Sequence, residues 1–174
     1  MSDKGRVFKA HFTIIDNVHH CHLQEHFTTA RRETESLQHF ILRLLGFCLF
    51  AYRHDLVLCE SKTKPQLDIF ASTLYDDYEL VIEVFNDNID ELTKIRNQSR
   101  VLYVITTTPL DAELARWLAL HSSVEVIVVQ SEAVAELERV LSRSMHWDVC
   151  VDSDEIAITA NDTFIRSPIT IHWP

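Results

Sequence analysis

"PQLDIFASTLYDDYELVIEVFND", residues 65–87, reads as two short strands that each carry a carboxylate among large apolar residues. Asp68 stands in Leu67-Asp68-Ile69-Phe70, and Glu83 stands in Leu80-Val81-Ile82-Glu83-Val84-Phe85. The turn-prone "TLYDD" joins the two runs. An ionised carboxylate in such surroundings is costly unless donors or a cation meet it. Two of them on adjacent strands can converge on one point, and a hard divalent cation is the usual reason to tolerate that. The same residues admit a plainer reading. Glu79, Val81, Glu83 and Phe85 alternate onto one strand face, which could be partly solvated.

Working outward, "VFKAHFTIID" and "HLQEHFTTA" alternate loosely on either side of "NVHHC" and predict an N-terminal hairpin. In "TESLQHFILRLLGFCLFAY", Leu37, Phe40, Ile41, Leu44, Leu45 and Cys48 recur at three and four residues, predicting a helix with Thr34 as N-cap. After the acid-bearing strands comes a short polar helix, "NIDELTKIRNQS". "RVLYVITTT" and "VEVIVVQ" are nearly continuous β-branched runs, as expected of strands covered on both faces. Pro109 opens the helix "LDAELARWLALH", and Ser131 caps "SEAVAELERVLSRS". The tail breaks into short strands at "DSDE" and "AND". This order predicts a mixed α/β sheet with helices on both faces. With no repeat, low-complexity stretch or linker, residues 1–174 are expected to form a single domain.

The totals are those of an ordinary soluble protein, 47% hydrophobic and 24% charged. No apolar run approaches the roughly eighteen residues that suggest a bilayer span. The N-terminus "MSDKGRVFKAHF" lacks a signal-peptide core, and Cys21, Cys48, Cys59 and Cys150 form no C-x-x-C pair. The expectation is a cytoplasmic protein with reduced thiols and no membrane partner. Only two glycines occur, so a glycine-rich phosphate loop is excluded. A net charge of −10 argues against a general nucleic-acid coat. The charge is uneven, however: residues 1–108 hold twelve Lys/Arg against fifteen Asp/Glu, and residues 109–174 hold four against eleven. Any phosphate-facing surface is therefore expected near Arg31, Arg32, Lys62, Lys64 and Lys94.

"VHHCHLQEHF" has the composition of a zinc site but not the geometry. His22 and His26, four apart on a strand, lie about 13 Å from one another along it. His19, His20 and Cys21 fall at the hairpin tip, where polar residues are expected anyway. No G-x-S-x-G elbow supports a serine nucleophile.

An Asp on one strand and a Glu on the next resembles the PD-(D/E)XK nuclease motif. Over nearly its whole length the chain also resembles the YaeQ family. The stretches that carry this are "VFKAHFTI", "TTARRETESLQHFILRLLGFCLFAY", "LDIF" with "ELVIEV", and "LTKIRNQSRVLYVITT". The resemblance implies a restriction-endonuclease-like core between the N-terminal hairpin and the C-terminal strands, with an early helix ahead of the acid pair. It implies that Asp68, Glu83 and the Val84 carbonyl hold Mg²⁺ or Mn²⁺, with Glu35, in the first turn of the long helix, reaching the metal through water. The motif lysine is replaced by Phe85, and the residue before Asp68 is Leu67 where the motif has proline. Lys94 matches a basic position of the family and is the candidate substitute base. Gln98 lies one turn further on and points the same way; Lys94 could equally belong to a solvated helix face, and Gln98 reads as structural. The implied activity is metal-dependent phosphodiester hydrolysis of a nucleic acid. The alternative is a binding module that kept the fold without the catalysis.

Overall fold

A computed structural model describes residues 6–59, 67–75 and 77–172, the side chains of the last two aside. The described strands form one ten-stranded mixed sheet in the order β2-β1-β8-β9-β10-β7-β6-β5-β4-β3. The N-terminal hairpin is β1 (Val7–Asp16) and β2 (Cys21–Ala30), paired antiparallel from Val7↔Ala30 to Asp16↔Cys21. Its inner face is apolar, with Phe8, Ala10, Phe12 and Ile14 all buried. That alternation is the one expected of an antiparallel pair with one face on the core.

Helix α1 (Leu37–Phe50) follows, then β3 (Val57–Leu58), β4 (Ile69–Ser72) and β5 (Tyr78–Val84). β4 and β5 are antiparallel, with Ile69 opposite Ile82. Helix α2 (Ile89–Arg96) leads to β6 (Ser99–Thr106), and α3 (Ala112–Ala119) to β7 (Val124–Val129). Both connections are parallel crossovers, β5 to β6 and β6 to β7. They require a helix each, because parallel neighbours cannot be joined by a tight turn. Helix α4 (Ser131–Val140) then returns the chain to the hairpin. There β8 (Ser144–Val151) pairs parallel to β1, and β9 (Glu155–Ala160) and β10 (Thr163–His172) complete the sheet.

β10 holds the two halves together. Up to Pro168 it pairs with β9, and from Ile169 it pairs with β7. A proline has no N–H to donate, so it suits the position where a strand changes partner. The turn before β10 uses Asn161 and Asp162, both at positive φ, the signature of a two-residue primed hairpin turn.

α1 lies against β4, β5, β6, β8 and α4, and ten of its fourteen residues are buried. α2 and α3 cover the opposite face of β5–β7, where Leu92, Trp117 and Leu118 pack on Val81, Leu102 and Val126. Helices on both faces explain why β6 and β7 read as continuous apolar runs. Three cap assignments differ from the sequence reading. Ser36, not Thr34, caps α1, accepting the His39 N–H, so Glu35 precedes the helix and does not lie in its first turn. Asp111 caps α3, so Pro109 stands before the cap rather than in the first turn. Ser131 is the first residue of α4, whose cap position is Gln130 without a side-chain bond.

Gly46 sets how closely α1 approaches the sheet. A Cβ there would lie 3.3 Å from both Ile69 Cδ1 and Ile82 Cγ2. Gly46→Ala needs only a small shift of two side-chain tips, and the helix gains up to about 1 kcal/mol in propensity. Gly46→Leu is expected to destabilise by about 1–3 kcal/mol through overpacking. Urea unfolding midpoints of the two variants check this; equal midpoints would mean that α1 can lift off the sheet freely.

Candidate functional site

The residues that precede α1, the start of β4 and the end of β5 meet in a cavity of about 320 Å³. Glu35, Asp68, Glu83 and Val84 line it together with Arg32 and His39. Asp68 sits just before β4, its carbonyl accepting the Cys59 N–H at 2.9 Å. One of its carboxylate oxygens accepts from Arg32 Nη1 at 2.8 Å and the other from the Val84 N–H at 2.9 Å. His39 Nε2 lies 2.9 and 3.0 Å from the two oxygens. Glu83 Oε1 accepts the Asp68 N–H at 2.7 Å. Glu35 is held by Arg43, Nε to Oε1 at 2.8 Å and Nη2 to Oε2 at 2.9 Å, and by the Arg32 N–H.

The two arginines also fasten the backbone around the site. Arg43 donates to the Cys59 and Ala30 carbonyls, and Arg32 to the Cys59 and Leu67 carbonyls.

Electrostatics separate the two strand acids. Burial opposes charge on Asp68, but the hydrogen bond and charge of His39, the Val84 N–H and the Arg32 guanidinium outweigh it. Its carboxyl is held below the usual range. Burial, and then the neighbouring Asp68 charge, push Glu83 well above the usual carboxylate range. One proton is therefore kept on Glu83 while Asp68 stays ionised, the ordinary outcome for two carboxyls in contact.

This division has a measurable consequence. Folded Glu83 holds its proton above the ordinary value of 4.5 at which the unfolded chain releases it. The stability this contributes is complete below that value and is lost as pH rises through the folded pKa, by at most about 1.4 kcal/mol per pH unit. In Glu83→Gln the amide oxygen can still accept the Asp68 N–H, and the side chain, like the protonated acid, carries no charge. The variant is expected to match the parent in mildly acidic solution and to become the more stable protein as pH rises. Denaturant midpoints across the pH range check it. A variant weaker at every pH would show that Glu83 works as a charged partner.

Lys94 is exposed on α2 and does not line the cavity, to which that helix contributes Glu91 instead. Gln98, after the helix, is also exposed. Phe85 is half-buried and packs in the α2–α3 cluster. Lys62 and Lys64 lie outside the described residues.

Sequence reasoning missed two members of the site. His39 is four residues after Glu35, and Arg43 four after His39, so all three fall on one side of the chain as it enters α1. Arg43 was hidden in an apolar run, although a fully buried arginine requires an acid partner nearby. Ligand atoms of Glu35, His39 and Asp68 lie within 4.8 Å of one another, a spacing one cation can bridge. Among the described residues, the hairpin histidines form no such group. His19 instead pairs with Asp16 at 2.8 Å and stacks on Tyr52, while His11 lies between His26 and His146 across three strands.

Fold and site together define a class: an α/β protein with a curled ten-stranded mixed sheet and a buried carboxylate–histidine–arginine cluster at the entrance to its core helix. The chain matches the family described as YaeQ protein over residues 1–168, and it belongs to that family. Its fold is similar to the crystal structure of the YaeQ protein from Xanthomonas axonopodis pv. citri. The TM-score is 0.86 at 22% identity, covering 98% of this chain and 99% of that one. The YaeQ protein from Pseudomonas syringae is similar at a TM-score of 0.89 and 16% identity, covering 99% of this chain and 98% of that one. No curated protein matches the sequence. Among the described residues, no helix is long and apolar enough to cross a membrane.

Proposed function

We propose that the protein is a divalent-metal-dependent phosphodiesterase acting on nucleic acid, of the PD-(D/E)XK kind. The observation that carries this is the convergence of Glu35, His39 and Asp68 ligand atoms within 4.8 Å on the wall of an open cavity, beside Glu83. The element order adds support, since α1 precedes the antiparallel pair β4 and β5, with Asp68 just before β4 and Glu83 in β5, and α2 and a strand parallel to β5 follow. Asp68, Glu83 and the Val84 carbonyl would hold Mg²⁺ or Mn²⁺, with Glu35 reaching it directly or through water. The imidazole of His39 favours Mn²⁺ over Mg²⁺ in such a set, because nitrogen ligands suit the softer ion. A bound divalent ion supplies Lewis acidity and lowers the pKa of water.

The chain's own residues do the rest. Asp68, kept ionised by its donors, is the fixed negative anchor. Arg32, beside Asp68 on the cavity wall, provides a positive charge of the kind that the motif lysine would bring and meets the negative charge that develops on phosphate. Lys94, outside the cavity, is left to contact substrate phosphate beyond it. Lys94→Ala is therefore expected to retain most of the turnover and to weaken mainly substrate binding, read as a raised KM with little change in kcat.

The test is a panel of single- and double-stranded DNA and RNA incubated with Mn²⁺, with Mg²⁺ and with EDTA. Thermal melting is followed under the same three conditions. Metal-dependent cleavage and a metal-dependent rise in Tm are expected. Neither effect, at protein concentrations where the fold is intact, would sink the reading. A second reading has its own observation: Arg32–Asp68 and Arg43–Glu35 already balance the acids without a metal. On that reading the protein is a non-catalytic binding module, and the same panel returns binding without cleavage or metal stabilisation.

A further inference from the structure

Arg31 immediately follows β2, Arg6 immediately precedes β1, and Arg143 immediately precedes β8. β1 runs antiparallel to β2 and parallel to β8, so these three positions fall at the same end of three adjacent strands. Backbone bonds lock the arrangement: the Arg31 N–H donates to the Arg6 carbonyl at 3.0 Å, and the Lys9 N–H to the Arg143 carbonyl at 2.7 Å. All three arginines line one cavity of about 160 Å³.

None of the three is in an ion pair among the described residues, although the chain carries a net charge of −10. Glu138 also lines the cavity, and it too is unpaired among the described residues. Arg31 Nε is buried without a hydrogen-bond partner. Three arginines against one glutamate leave the cavity with an excess of positive charge, and a buried donor left unsatisfied costs about 1–3 kcal/mol. An anion with several acceptor oxygens answers both.

We propose that this row of strand ends is a binding site for the phosphodiester backbone of a nucleic acid. It deepens the nuclease reading and rests on it for the identity of the substrate. Adjacent strands are about 4.8 Å apart, so the row spans about 10 Å, a length suited to successive phosphates and too long for one carboxylate. Guanidinium is the side chain that best matches phosphate oxygens in pairs. Arg31 and Arg32 are consecutive, one turned to this row and the other to Asp68. A strand held by the row therefore passes beside the cluster of acids, and the row fixes its register without reading its bases.

The experiment measures binding alone, in EDTA, so that it does not depend on turnover. A fluorescently labelled single-stranded oligonucleotide is titrated with the full chain by anisotropy at several salt concentrations, and a labelled polyglutamate peptide serves as the acidic control. Arg31→Gln/Arg143→Gln is expected to raise Kd at least tenfold and to flatten the salt slope by about 1.4, at about 0.7 for each phosphate no longer neutralised. Glu138→Gln, which removes the only acid lining the cavity among the described residues, is expected to tighten binding. Melting temperatures of the variants confirm that the fold is kept. The proposal is overturned if the double variant binds the oligonucleotide as the parent does, or if polyglutamate binds as well as the oligonucleotide. Salt-sensitive binding that the double variant loses, with no cleavage under Mn²⁺, would uphold the site while the hydrolase reading failed.

Discussion

Replacing Arg43 with methionine is expected to destabilise the protein by about 3–5 kcal/mol, the scale on which breaking one side of a buried ion pair registers. Arg43 has no exposed surface and makes four hydrogen bonds. Methionine occupies a comparable volume, so cavity formation is kept out of the comparison. What remains is an ionised Glu35 whose side chain is only 2% exposed, together with the Ala30 and Cys59 carbonyls, which lose the Arg43 donors. Arg32 still donates to Glu35 through its N–H and to Cys59 through its side chain, but it cannot replace a two-pronged guanidinium. Adding Glu35→Gln to Arg43→Met should recover a substantial part of the loss, because the stranded charge is then gone. Urea denaturation of the single and double variants makes a thermodynamic cycle. A loss below about 1 kcal/mol in the single variant would mean that Glu35 rehydrates through the cavity and that the pair is dispensable.

If the proposed hydrolase reading holds, Asp68→Asn is expected to lower metal-dependent hydrolysis by at least about a hundredfold, the scale associated with losing a principal charge-stabilising group. The amide is isosteric, yet it cannot serve on both sides. Asp68 accepts from Arg32 on one oxygen and from the Val84 N–H on the other. An amide must point its NH₂ at one of those donors, so about 1–3 kcal/mol of stability should go as well. The two effects are separable. Loss of the anchor abolishes the Mn²⁺-induced rise in Tm, whereas simple destabilisation lowers Tm equally with and without metal. An Asp68→Asn protein that still melts higher in Mn²⁺ would take Asp68 out of the metal site and leave it as the counter-ion of Arg32 and His39. Lys94→Ala, by contrast, should keep the Mn²⁺-induced rise, since that exposed side chain sits outside the cavity.

The secondary structure was legible in local periodicity. Helical spacing from Leu37 to Cys48, alternation in "VFKAHFTIID" and the β-branched runs of β6 and β7 each state a geometry without reference to the rest of the chain. The same holds for Asp68 and Glu83, conspicuous because an acid in an apolar strand demands an explanation. Caps were less legible. Thr34 and Ser36 have equivalent hydroxyls two residues apart, and only the turn formed by Arg32 and Glu35 decides which one meets the helix.

What answers the charge on those acids was not legible at all. Arg32 is 36 residues from Asp68 and reaches it only because the turn after β2 comes beside Leu67 and Asp68 in the folded chain. Arg43 looked like an interruption in an apolar helix and is in fact the partner of Glu35. His39, one of ten histidines, gains its meaning from touching Asp68. The sheet order is of the same kind: β1 lies between β2 and β8, more than a hundred residues apart in sequence. Sequence pattern determined which segments are strands and helices and which two carboxyls had to be neutralised, because burial periodicity and desolvation act locally along the chain. Only the tertiary structure decided what neutralises them, that one keeps its proton while the other does not, and which charges share a cavity. Coulomb and hydrogen-bond energies depend on distances in space, and those exist only once the sheet has closed around α1.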